Sequence, residues 1–362
     1  MTDGSAALRV AQVAPVIFPV PPADHGGTER VVHDLCTALR GMGADVTLFA
    51  SSDSATDAPG DGPPHGIVGR IGALPSLAAL ERMHGQVPPG VPAVLEAARL
   101  EDLRRHLDDF DVVHAHGEFA HAALLGPRRR HSLTTVHWRV DELDRKMFFE
   151  TFPDLPVAAI SAAQEAMLPA SNRMGVVHHG IARDRYAPGR GEGGYLAFVG
   201  RMTDQKRPDR AIRVARAAGR PIRLAGTVDV GNPRYFEREV APLLGDDAVY
   251  VGPLGDAAKG RLLADATALL FPVDWPEPFG LVMIEAMACG TPVIGWRRGS
   301  VPEVIQDGVT GFVVDAEDEA VAALARVGAL DRGLIRRRFE ARFTAERMAA
   351  DYLAIYRRLA AA

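Results

Sequence analysis

Short apolar runs rich in β-formers alternate along the chain with helical patterns: LRVAQVA (8–14), DVTLFA (45–50), DVVHAH (111–116), SLTTVHW (132–138), VAAIS (157–161) and VVHHGI (176–181). Strands that are apolar throughout are buried on both faces, and strands separated by helices pair in parallel. This restricts the chain to an α/β fold. After PGRGEGG (188–194) the pattern restarts with YLAFVG, IRLAG, AVYVGP, ATALLFP, PVIGW and GFVV. A chain of 362 residues exceeds what one core usually organises, so two doubly wound, Rossmann-like domains are expected, facing one another across a cleft.

The expected boundaries are 1–187 for the first domain, 188–194 for a linker, 195–344 for the second domain and 345–362 for a C-terminal helix packing back toward the first. The run LIRRRFEARFTAERMAADYLAIYRRLAAA is strongly helical, with Phe339, Phe343, Met348, Tyr352, Ile355 and Leu359 available for packing. Its arginines alternate with acids and apolar residues, as on a solvated helix face.

A formal charge of -5 supplies no field for nucleic acid or an anionic membrane. No stretch is long and apolar enough to span a membrane, and the N-terminal run lacks the basic start of a signal peptide. The two cysteines, Cys36 and Cys289, are expected as buried apolar groups and suit a reducing, cytoplasmic setting.

Neither GxGxxG nor GxxxxGK[ST] follows the first expected strand, which removes the best support for a dinucleotide or P-loop site. His25-Gly26-Gly27-Thr28-Glu29-Arg30 stands there instead, at a helix start whose free N–H groups could meet an anion. In the second half VGRMTDQKRPD puts Arg201 and Lys206 at a strand end and the next helix start. Two cations there could hold a pyrophosphate.

DWPEPFGLVMIEAMACG (274–290) is the most telling stretch. A helix from about Leu281 to Cys289, stopped by Gly290, is apolar nearly all round and hence buried. It nevertheless carries Glu285, eight positions after Glu277 in the preceding turn. Buried carboxylates need partners, and hydroxyl-rich ligands supply them.

Glu277-Pro-Phe-Gly with Glu285 resembles the E-x7-E motif of retaining family-4 glycosyltransferases of GT-B fold, among them bacterial small-molecule glucosyltransferases. GGTERVV, DVVHAHG, TTVHW, VGRMTDQKRPD, VGPLGDAAK, EPFGLVMIEAMACGTPVI and SVPEVIQDGVTGFVV follow in the family's order. The resemblance implies transfer of a hexose, glucose from UDP-glucose, to an acceptor hydroxyl, on a pterin or an antibiotic scaffold for instance, with retention and without a metal or cofactor. Two other readings are a GT-B nucleotide-sugar 2-epimerase and a non-catalytic nucleotide-sugar-binding protein.

By the same resemblance Glu277 holds sugar hydroxyls and Glu285 the ribose. Arg201 and Lys206 neutralise the diphosphate, with Gly27 opposite. The N–H groups of Phe279, Gly280, Leu281 and Val282 meet sugar and phosphate, and Leu254, Asp256 and Lys259 lie at the base. His116 is expected at the sugar. His114 is expected on the opposite face of its strand, structural and unable to share a metal with His116. His179, where many relatives have Asn, is given no role. The loop HWRVDELDRKMFFETFPD (137–154) offers His137 and Asp141 as acceptor contacts.

Overall fold

The computed structural model describes residues 7–22, 26–55, 70–117 and 119–361; His25 of the glycine turn lies outside them. They form two compact units, Met1–Gly180 with Ala345–Ala362, and Ile181–Thr344.

In the first unit β1 (Arg9–Val13), β2 (Asp45–Phe49), β3 (Arg70–Ile71), β4 (Val112–Ala115), β5 (Ser132–Thr135), β6 (Val157–Ala159) and β7 (Arg173–Val176) form one sheet. Its order is β3-β2-β1-β4-β5-β6-β7, and every pairing is parallel. The central strands are apolar because helices cover both faces. Two expectations shift in detail. The final strand begins at Arg173, so His178 and His179 follow its end instead of lying within it. The two-residue β3 carries too little pattern to be read from sequence.

Helix Gly27–Gly41 buries Val31, Val32, Leu35 and Leu39, whereas Met42 is its exposed C-cap. Helix Ala345–Ala360 packs on it. The long C-terminal helical run is in fact two helices, Arg332–Arg342 and Ala345–Ala360. Between them Phe343 O accepts from Ile181 N–H at 3.0 Å, and Thr344 bridges Ile181. Pairing with an extended segment takes those two residues out of helical geometry. All six residues expected to pack from this run are buried.

In the second unit β8 (Leu196–Val199), β9 (Ile222–Ala225), β10 (Ala248–Gly252), β11 (Ala268–Phe271), β12 (Val293–Trp296) and β13 (Gly311–Val314) form a parallel sheet ordered β10-β9-β8-β11-β12-β13. Residues 188–194 are tied into this unit. Gly189 N–H donates to Cys289 O at 3.0 Å, and Gly193 N–H to Asp265 O at 2.9 Å. Both cysteines are buried and unbridged.

Helix Ala345–Ala360 is held to its sheet by a polar contact as well as by packing. Tyr356 OH accepts from Gln12 Nε2 at 2.9 Å and lies 2.7 Å from His114 Nδ1, all fully buried. Removing that hydroxyl leaves two buried groups unmet, a loss of roughly 1–3 kcal/mol. Tyr356→Phe should lower the urea midpoint of unfolding accordingly, with an unchanged denaturant slope.

Candidate functional site

The segment after β11 is built around Glu277. Asp274 N–H donates to Gln205 O at 2.9 Å, which brings the loop against the residues following β8. From the other side Ser300 N–H donates to Glu277 O at 2.9 Å, and Ser300 Oγ to Phe279 O at 2.8 Å. Gly299 (φ +54) makes this clamp possible, since a Cβ there would stand 2.2 Å from Glu277 O. Arg207, in left-handed geometry at φ 55, starts the next helix, Pro208–Ala217. Its fork on Asp209, at 3.0 and 2.9 Å, holds a conformation that costs about 1–3 kcal/mol.

The Glu277 carboxylate, 5% exposed, accepts through Oε2 from Lys206 Nζ and from Trp275 Nε1 at 2.8 Å. Lys206 also lies 5.0 Å from the Trp275 ring centre. The other oxygen, Oε1, enters none of these bonds. Arg201, just beyond β8, has an exposed side chain that makes no ion pair among the described residues.

Helix Leu281–Ala288 follows Gly280, whose left-handed φ of 80 starts it, and no side chain caps it. Leu281 and Val282 are half-buried at its first turn, and Phe279 is buried. Glu285, 5% exposed, accepts through Oε1 from Lys259 Nζ at 2.6 Å and Tyr186 OH at 3.3 Å. Tyr186 OH also reaches Asp256 Oδ1 at 3.1 Å, and Arg185 Nη1 donates to Asp256 Oδ2 at 2.9 Å. Again the second carboxylate oxygen of Glu285 takes no part. Leu254 sits half-buried in the loop before Asp256. Buried beside this cluster, the Cys289 thiol is pushed up to about 12 by desolvation and then by the Glu285 charge.

Thus the structure brings Lys206 to Glu277 and joins Asp256, Lys259 and Glu285. Trp275, Tyr186 and Arg185 belong to these clusters and escaped the sequence reading. Trp275 stands two residues before Glu277 and Tyr186 just before the glycine-rich segment, but neither residue type signals a site by itself.

In the first unit Gly27 is the first residue of helix Gly27–Gly41. Glu29 is buried in that first turn, its carboxyl raised by burial while it accepts backbone N–H groups of Glu29 and Phe18. The helix start is therefore partly filled by its own chain. Asp141 is held in a two-point contact with Arg139, at 2.8 and 2.7 Å, that lowers its pKa.

His114 and His116 do not lie on opposite faces. Residues two apart on a strand share a face, and their ring centres are 4.0 Å apart. His114 Nε2 meets Thr135 Oγ1 at 2.8 Å, a structural contact. His116 is fully buried with both nitrogens engaged, Nε2 on Gln12 Oε1 at 2.7 Å and Nδ1 on His137 Nε2 at 2.9 Å. His137 Nδ1 in turn lies 3.3 Å from His179 Nε2. His179, assigned no role from sequence, closes a row of three rings. Because Gln12 donates to Tyr356, its oxygen faces His116, which must donate through Nε2. Each following ring then donates through Nε2 to the Nδ1 before it. Among the described residues no three His, Cys, Asp or Glu side chains are arranged to hold a metal, and no helix is long and apolar enough to cross a membrane.

Burial keeps this row neutral. Desolvation, and for His116 and His179 also the neighbouring rings, pushes His116 and His179 well below the ordinary value; His137 falls to about 3 and His121 to about 4. Histidines depressed in the folded state bind protons first in the unfolded chain, so stability falls as pH drops below 6.5 toward those values. His137→Gln should flatten the pH dependence of unfolding free energy between pH 6 and about 4, by up to about 1.4 kcal/mol per pH unit.

Residues 25–185 match the model of Glycosyltransferase Family 4, and residues 184–339 that of glycosyl transferases group 1. D-inositol 3-phosphate glycosyltransferases of Mycobacterium bovis and Mycobacterium tuberculosis are 31% identical over 60% of this chain and 49% of theirs. The chain thus spans about half the length of these curated relatives. Among solved structures, AviGT4, a glycosyltransferase involved in avilamycin A biosynthesis, aligns over 98% of both chains with a TM-score of 0.71 and 25% identity. Sucrose-phosphate synthase of Thermosynechococcus elongatus aligns over 98% of this chain and 99% of its own, with a TM-score of 0.75 and 21% identity. HepE of Anabaena, solved with UDP-glucose, covers 98% of this chain and 100% of its own, with a TM-score of 0.68 and 17% identity. The last two share the fold. The chain belongs to the glycosyltransferases of GT-B type, joining a Family 4 domain to a group 1 domain.

Proposed function

We propose that the chain is a retaining hexosyltransferase that moves glucose from UDP-glucose to a hydroxyl of a small acceptor. The observation that carries this reading is the matched pair of carboxylates. Glu277 and Glu285 are both buried, each has one oxygen tied to a lysine, and the second oxygen of each takes part in none of those contacts. A carboxylate held in this way is pre-oriented to accept from a hydroxyl without paying side-chain entropy again.

Between the two glutamates the uncapped start of helix Leu281–Ala288 offers backbone N–H groups, a favourable place for a phosphate. Lys206 stands at Glu277, and the exposed Arg201 follows the same strand. Positive charge here would stabilise the departing diphosphate, where charge develops as the glycosidic bond to the donor breaks. Glu277 then orients the sugar, and Glu285, steadied by Lys259 and Tyr186, holds the ribose. Leu254 and Asp256 lie toward the base. On the first unit Gly27, His116, His137 and Asp141 are the candidate contacts. To touch a substrate through a ring nitrogen, His116 has to give up Gln12 or His137.

HepE, solved with UDP-glucose, supports the choice of donor. AviGT4, a glycosyltransferase involved in avilamycin A biosynthesis, supports a small-molecule acceptor.

UDP release from UDP-glucose across an acceptor panel, with proton NMR of the product anomer, tests the reading directly. An α-linked product is expected; an inverted product, or no UDP release with any acceptor, overturns it. Glu277→Ala should lose mainly kcat, whereas Glu285→Ala should raise donor KM by roughly 10–100-fold, the worth of a hydrogen bond to a charged group. Equal losses of both parameters in both variants would remove the division of roles.

A further inference from the structure

Beyond the carboxyl ends of β1, β2 and β3 the first unit contains a cavity of about 290 Å³, walled on one side by helix Val91–Arg105. Much of the lining is apolar, including Leu74, Pro75 and Leu95, yet Arg99 also faces it. Arg99 is 6% exposed, and its Nε and Nη1 have no hydrogen-bond partner among the described residues. Burial holds the guanidinium down to about 10, and Glu96 acts on it only through its charge. Leaving a buried cation with unmet donors is among the costlier arrangements a fold can keep.

Three observations show what would meet it. A guanidinium presents its donors in a planar fork that matches a carboxylate or phosphate. The cavity lies at the carboxyl edge of this parallel sheet, the edge at which open α/β sheets bind their ligands. Gly117, directly after His116, lies against Arg99, a Cβ there being 3.7 Å from Nη2. Of the acids on the lining, Glu101 is engaged by Arg104 at 2.6 Å and Arg105 at 3.0 Å. Asp102 opposes an anion and Arg99 attracts one from the buried side.

We infer that Arg99 seats an anionic group, a carboxylate or a phosphate monoester, of a small ligand with an apolar body in this cavity. As an assignment of the acceptor, this rests on the proposed transfer reaction; as a binding site, it stands without it.

Thermal melts in inorganic phosphate and in acetate, at ionic strength matched with chloride, test the site without any donor. Wild type should gain about 2–4 °C at saturating anion, the shift expected of a ligand binding the folded state alone, and Arg99→Met should lose that part of the gain. A larger response to phosphate assigns a phosphate ester, and a larger response to acetate a carboxylate. With no anion added, Arg99→Met should melt no lower than wild type, because an unmet charge has been replaced by an apolar chain of similar length. Arg99→Lys keeps the charge without the fork and should retain a smaller shift. Equal shifts in wild type and Arg99→Met, or none in wild type, overturn the site. An Arg99→Met chain that melts lower or fails to fold makes Arg99 a structural group and overturns it too. Failure of UDP-glucose turnover would end the transfer reading and leave these melts unaffected.

Discussion

A parallel strand cannot be reached by a hairpin, so successive strands within each sheet are joined by crossovers that carry the chain back. Every carboxyl end therefore opens into a loop and every following helix presents its N-terminus near that edge. The candidate groups sit where this constraint leaves backbone free to vary. Arg201 follows β8, Glu277 follows β11, and helix Leu281–Ala288 begins a few residues on. In the first unit His116 follows β4 and the Arg99 cavity lies beyond β1, β2 and β3.

The two buried glutamates illustrate how such loops tolerate charge. Glu285 occupies a helix that is otherwise apolar, and it remains there because Lys259 and Tyr186 reach it from neighbouring segments. Glu277 is anchored through its backbone as much as its side chain, with Ser300 and Gly299 gripping the peptide while Lys206 and Trp275 take one oxygen. Breaking one partner of such a pair costs more than the pair contributes, since an unpaired charge is left behind. The lysines are thus as constrained as the acids they serve.

Periodicity was enough to read the sheets, the helix around Glu285 and its stop at Gly290, because burial on two faces imposes continuous apolar runs. The same logic missed β3, which is two residues long, and it could not see that Phe343 and Thr344 leave the helix to pair with Ile181. Contacts between distant segments were less legible. Tyr186 and Glu285 are 99 positions apart, and Gln12 and Tyr356 are 344 apart. No local spacing encodes such pairs. His179 looked like a departure from a family pattern, and only three-dimensional adjacency places it against His137.

The histidine row has a sense of direction. With the Gln12 amide in its present orientation, hydrogens point from His179 toward Gln12, and Tyr356 is left to donate to His114. Turning that amide over would reverse every tautomer in the row and exchange donor for acceptor at Tyr356, His114 and Thr135. Intermediate arrangements set lone pair against lone pair or hydrogen against hydrogen. The row therefore has two self-consistent settings, and a group that demands an acceptor instead of a donor at one end selects between them at the other, on helix Ala345–Ala360.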